Sequence, residues 1–191
     1  MAPKLILTGF MATGKSSIAP IVARRLGWPL IDSDDLIVAR AGKPIAAIFA
    51  DDGEPRFRAL EREVIADLAR PYPRCPMCGC PRPAVIATGG GALVDEHNFN
   101  ALREAGVIVC LSARPEVIAR RVERSRARRP KLLEGGKPLR ERIVELIDER
   151  REAYERAEVT VDTSDFNVSE AANEVFNAFI RCGAKRCGLF A

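Results

Sequence analysis

No run of this chain is apolar for long enough to span a membrane. No charged-then-apolar leader precedes the first strand-like segment, which begins within a few residues of Met1, so no targeting signal is expected. A cytoplasmic location follows as the expectation, and with it cysteines that are not disulfide-bonded. Charge of one sign is also missing: 30 basic residues face 26 acidic ones, leaving a net +4. That balance suits a small anionic substrate at least as well as nucleic acid, and no basic tail or arm argues for the latter. No internal repeat or linker divides the chain, so a single domain over 1–191 is expected, working as a monomer. The hydrophobic fraction of 47% over that length is enough for a substantial core.

What is present alternates. Short apolar runs at Lys4–Thr8, Pro29–Asp32, Ala84–Ala87, Val107–Leu111 and Val159–Asp162 read as strands. Between them lie helical patterns at Ser17–Leu26, Asp34–Ala41, Pro44–Phe49, Glu54–Ala69, His97–Glu104, Pro115–Arg126, Leu139–Arg156 and Val168–Ile180. Five strands joined by helices imply a parallel sheet covered on both faces, a three-layer α/β/α arrangement.

Between the first strand and first helix lies Gly9-Phe10-Met11-Ala12-Thr13-Gly14-Lys15-Ser16, which fits G-x-x-x-x-G-K-[ST]. The two glycines allow backbone angles that let loop N–H groups face phosphate oxygens at a helix N-terminus. Met11 to Ser17 are therefore expected around a nucleoside triphosphate, with Lys15 at the β- and γ-phosphates and the Ser16 hydroxyl on Mg²⁺.

In such a sheet the working groups lie beyond the carboxyl ends of the strands. The second strand delivers Asp32-Ser33-Asp34, either a helix N-cap or a carboxylate pair, one member near Mg²⁺ and one accepting a hydroxyl proton. The third delivers Thr88-Gly89-Gly90-Gly91, either a tight turn or backbone that a ligand can approach. The fourth delivers Ser112-Ala113-Arg114, and the fifth Asp162-Thr163-Ser164-Asp165. Arg58, with Glu61 three residues on, is either an exposed helical ion pair or a fork for a substrate carboxylate. Arg128 to Pro138 is charged, with Gly135-Gly136 and two prolines; it reads as a mobile lid (about 125–138) or a solvated basic loop.

Taken in order, these residues resemble the shikimate kinase family across nearly the whole chain. The resemblance rests on the phosphate loop, Asp32-x-Asp34, Asp52-Gly53-Glu54-Pro55-Arg56-Phe57-Arg58, Thr88-Gly89-Gly90-Gly91, Arg129-Pro130-Lys131-Leu132-Leu133 and Arg150-x-x-x-Tyr154. It implies a phosphate-loop kinase fold of the nucleoside monophosphate kinase type and transfer of the ATP γ-phosphoryl group to the 3-hydroxyl of shikimate. By matching positions it implies that Asp34 binds the shikimate hydroxyls and serves as or positions the base, in a substrate region of about 33–62. Arg58 and Arg150 would clamp the carboxylate, and Gly89, Gly90 and Gly91 would line that pocket. Asp32 would hold Mg²⁺ with Ser16, and Arg129 would close over the phosphates. Arg120 or Arg121 would cover the adenine, with Thr163 to Asp165 on its other side. Lys131 departs from the usual Arg-Pro-Leu-Leu lid. A gluconate-type kinase of the same fold is the alternative, and a nucleotide-dependent binding module a remoter one.

One segment falls outside the pattern. Residues 71–83 form a Pro/Cys-rich insertion in which Cys75-x-x-Cys78-x-Cys80 supplies three potential zinc ligands, with Cys182, Cys187 or His97 as the fourth. A redox pair or a proline-stiffened loop with incidental cysteines are the other readings. From the loop alone, Lys15→Ala is expected to remove most phosphoryl transfer while leaving the circular dichroism spectrum unchanged; a variant with normal turnover would break the motif's assignment.

Overall fold

A computed structural model describes residues 4–70, 83–124 and 138–186. The apolar runs become strands: the three central ones are aliphatic enough to be buried on both faces, while the two edge strands are only partly covered. They are β1 (Lys4–Gly9), β2 (Leu30–Asp32), β3 (Val85–Ala87), β4 (Gly106–Ser112) and β5 (Val159–Asp162). All pair in parallel in the order β2-β3-β1-β4-β5. Ile6 at the centre of β1 stands opposite Ile86 on one side and Ile108 on the other. The helices are α1 (Lys15–Leu26), α2 (Ser33–Ala41), the short α3 (Ile45–Ala47), α4 (Gly53–Ala69), α5 (Glu96–Ala105), α6 (Pro115–Arg124), α7 (Leu139–Asp148), α8 (Arg151–Glu155) and α9 (Val168–Arg186).

Strand alternation sorts the core. Leu5 and Leu7 point to a layer made by Ile18 and Val22 of α1 and by Val175 and Phe179 of α9. Ile6 and Ile108 point the other way, to Ile65 of α4 and to Phe99 and Leu102 of α5. A third cluster joins Ile37 of α2 to Phe57, Leu60 and Val64 of α4 beneath Ile86. The expected three-layer α/β/α architecture with a parallel sheet is therefore the observed one.

Two helical expectations change. Pro44–Phe49 gives only α3, which runs on into a wide turn over Ile48–Asp52. The long helix expected over 139–156 is broken: α7 stops at Asp148, Arg150 adopts φ −113 and ψ 4, and α8 resumes at Arg151. Ile143 and Leu146 of α7 pack with Phe10 and Ile118, whereas Ala153 of α8 packs with Ile6 and Phe99. The break lets one segment serve two clusters, and it turns Arg150 inward to 9% exposure.

Lys4, at the start of β1, is buried at 4% exposure. Its ammonium donates to the carbonyls of Leu68 and Arg70 at the end of α4, at 2.6 Å to the latter. These are carbonyls that no further turn of helix can satisfy. Burial pushes the Lys4 ammonium below its ordinary pKa. Lys4→Met is expected to cost about 1–3 kcal/mol in urea denaturation, the price of leaving buried acceptors unpaired, with KM values unchanged because the contact lies at the amino end of the strand.

Candidate active site

The phosphate loop is shaped by contacts that exclude side chains. Gly9 sits at φ +130, and a Cβ there would lie 2.1 Å from the Leu111 carbonyl oxygen on β4. Ala12 is held at φ 62, a left-handed conformation unusual for a residue with a side chain, and Gly14 at φ 108. Lys15 Nζ reaches back over the loop to the carbonyls of Gly9 and Phe10, at 2.6 and 2.9 Å. Thr13 Oγ1 donates to Phe10 O at 2.7 Å. Thr163, from the end of β5, donates to Thr13 O at 2.9 Å. Arg121 of α6 bonds both Ala12 O (3.3 Å) and Thr163 O (2.7 Å), so it braces the loop from the side. Arg120, the other residue considered for that position, is exposed.

Three carboxylates gather beside the loop. Asp32 caps α2, its Oδ1 accepting from Asp34 N at 2.9 Å, so the capping role expected of it is real. It also lines the cavity described below. Asp34 is pushed up to about 6, first by burial, then by the negative charges of Asp32 and Glu61. Burial likewise raises Glu61, even with the Arg58 guanidinium beside it. Asp34 Oδ1 and Glu61 Oε1 are buried with no hydrogen-bond partner among the described residues. Both face Gly89: a Cβ there would lie 2.9 Å from Asp34 Oδ1 and 3.2 Å from Glu61 Oε1. Ser33 Oγ accepts from Gly89 N at 3.1 Å and fixes the turn against α2.

The Gly89–Gly91 segment is flanked by the two arginines. Arg58 pairs with Glu61 at 2.6 Å and with Glu54 at 2.9 Å, and its guanidinium would stand 3.0 Å from a Cβ at Gly91. The helical ion pair and the placement beside the glycines therefore hold together. Arg150 donates to Gly90 O at 3.3 Å and Tyr154 Oη to the same oxygen at 2.6 Å.

These elements enclose a cavity of about 650 Å³. Met11 to Ser17, Asp32, Asp34, Gly89, Gly90 and Arg121 line it. Arg58, Gly91 and Arg150 stand behind its acceptor wall rather than on its surface. Arg129, Arg128 and Lys131 lie outside the described residues, as do Cys75, Cys78, Cys80 and Cys187. Among the described residues no group of three or more His, Cys, Asp or Glu is placed to hold a metal. Of the suggested fourth zinc ligands, Cys182 packs against the α1/α9 layer while His97 is exposed on α5, across the sheet. Nothing described supports zinc.

Three contributors, Glu61, Phe166 and Val168, were not marked by the sequence as part of the site. Glu61 reads on paper as a surface partner of Arg58, yet it is 1% exposed; its position one turn after Arg58 on the buried stripe of α4 was the available signal. Thr163, already expected at the site from its strand-end position, is in addition the link between β5 and the loop. Phe166 and Val168 also line the cavity, and no sequence pattern marks them.

A family model described as shikimate kinase matches residues 11–180. The chain is 46% identical over 159 residues to a shikimate kinase of Desulforudis audaxviator, across 83% of this chain and 77% of that one. The solved structure of shikimate kinase from Acinetobacter baumannii in complex with shikimate aligns with a TM-score of 0.81 at 27% identity, over 95% of this chain and 94% of that one. A gluconokinase from Sinorhizobium meliloti aligns at 0.58 and 19% identity over 99% and 98% of the two chains, a likeness of fold alone.

The raised Asp34 has a sign that can be measured. Its folded-state value of about 6 lies above the ordinary 3.8, so the folded protein binds that proton more tightly and loses stability as pH rises between the two. Asp34→Asn is expected to be more stable than the parent at pH 8, by about 3 kcal/mol, with the gain vanishing near pH 4. Urea denaturation without nucleotide or divalent cation checks this; a pH-independent difference would contradict it.

Proposed function

Because the chain belongs to the shikimate kinase family, we propose that the cavity beside the phosphate loop is where shikimate receives the γ-phosphoryl group of ATP on its 3-hydroxyl. The activity is ATP-dependent phosphorylation of shikimate. The observation that carries the siting is convergence: a phosphate loop, a carboxylate of raised pKa and a glycine turn backed by two arginines meet at one cavity of about 650 Å³.

Phosphoryl transfer needs positioning and charge stabilisation more than covalent help from the protein. Lys15 exchanges its loop carbonyls for β- and γ-phosphate oxygens. Asp34, ionised in most molecules at pH 7, accepts the proton of the attacking hydroxyl as the new P–O bond forms and ADP leaves. Arg58 and Arg150 bind the shikimate carboxylate with planar forks, and the backbone of Gly89–Gly91 approaches the ring closely. Glu61 holds Arg58 in place at 2.6 Å. Arg121 and Thr163 flank the nucleotide.

The Ser16 hydroxyl and the Asp32 carboxylate line the cavity as hard oxygen donors, the set Mg²⁺ takes when phosphates complete its shell. When bound there it would neutralise charge on the β- and γ-oxygens. Arg129 enters this proposal on its sequence position alone. A single-domain, cytoplasmic monomer is part of the same proposal.

A coupled assay of ADP formation tests the reading. Turnover is expected with shikimate and not with gluconate or nucleoside monophosphates; the reverse would overturn it. Arg58→Ala is expected to raise KM for shikimate at least about tenfold, as loss of a charged hydrogen bond does, with KM for ATP nearly unchanged. If Arg58→Ala lowers only the Tm, the pairs with Glu54 and Glu61 are its whole role.

A further inference from the structure

The Arg150-x-x-x-Tyr154 pair contains a residue that the reaction above leaves without a task. We propose that Tyr154 is a positioning residue for the acceptor side: by holding the Gly90 carbonyl it keeps the Gly89–Gly91 backbone in the shape that receives shikimate. The proposal rests on the shikimate kinase reading of the same cavity.

Gly90 is the place where the acceptor wall meets the phosphate loop. A Cβ there would lie 3.1 Å from Gly9 O and 3.5 Å from Met11 N, so its peptide has little room to shift without disturbing the loop. Two donors meet its carbonyl. Tyr154 Oη makes the short contact at 2.6 Å, and Arg150 Nη1 the long one at 3.3 Å. Arg150 is also the group assigned to the substrate carboxylate. When its guanidinium turns to that carboxylate, Tyr154 is left to satisfy the half-buried Gly90 O, and a carbonyl shielded from water without a donor is costly.

The tyrosine is suited to a fixed bond. Its ring packs in the cluster of Phe10, Ile118 and Leu146 behind the phosphate loop, on the wall of a second cavity of about 210 Å³. Burial pushes its phenol up to about 12, so it remains a donor throughout the working pH range. The plainer account is that Tyr154 only fills space in that cluster.

Tyr154→Phe separates the two, because it keeps the ring and removes the donor. KM for shikimate is expected to rise about tenfold, KM for ATP and kcat to stay within about threefold, and Tm to move little. Ile147→Val thins the same cluster without touching the bond and is expected to leave both KM values unchanged. An unchanged KM for shikimate in Tyr154→Phe overturns the proposal, as does a parallel rise in both KM values with a fall in Tm. Hydrogen exchange gives a reading independent of activity: amides of residues 88–94 exchange faster in Tyr154→Phe if the bond orders the turn, and at the parental rate if it does not. Should the parent enzyme fail to turn over shikimate, the functional reading falls by itself, and the exchange rates alone decide the role of Tyr154.

Discussion

The backbone of Gly9 runs so close to β4 that a Cβ would sit 2.1 Å from the Leu111 carbonyl. Around that approach the ends of three strands are drawn together. β1 turns into the phosphate loop, β4 supports it from one side, and Gly90, after β3, presses against Gly9 O from the other. Glycine at these points is a requirement of distance as much as of backbone angle. The proposed nucleotide and acceptor subsites would share a wall here, where the chain is thinnest.

The site concentrates charge that the fold alone would not favour. Asp32, Asp34 and Glu61 stand near one another, and burial raises all three above their ordinary range. Two of their oxygens have no partner among the described residues. Lys15, Arg58 and Arg150 lie around them, yet each is already engaged with protein groups. A hydroxylated carboxylic acid carrying its own donors would meet those orphaned acceptors, and its carboxylate would draw the arginines. Stability is given up locally for groups that are complementary to a ligand rather than to one another.

Much of the fold was legible because its signals are local. Runs such as Leu5-Ile6-Leu7 are apolar at every position, which marks a strand covered on both faces. Gly9 to Ser16 announces its chemistry by spacing alone. Other features depend on partners distant in the chain. The interruption at Arg150 has no glycine or proline to reveal it; it accompanies a change of packing, α7 lying on the Phe10 and Ile118 cluster while α8 keeps Tyr154 there and turns Ala153 to Ile6 and Phe99. Glu61 looks like a surface acid until Gly89 and Asp34 are brought beside it. Arg120 and Arg121 are equivalent in sequence, and only the direction of α6 places Arg121 on the loop.

The order of apolar runs was sufficient to determine a parallel α/β fold, and the phosphate-loop spacing to point to a triphosphate, because periodicity and motif spacing are properties of neighbouring residues; the shikimate-type kinase entered through the resemblance of the motifs, taken in order, to a known family. The tertiary structure decided which charges meet. It buried Glu61, raised Asp34 beside it, turned Arg150 inward and set Tyr154 on Gly90. Each of these depends on a distance between segments tens of residues apart, and burial and Coulomb energies follow distance in space rather than along the chain.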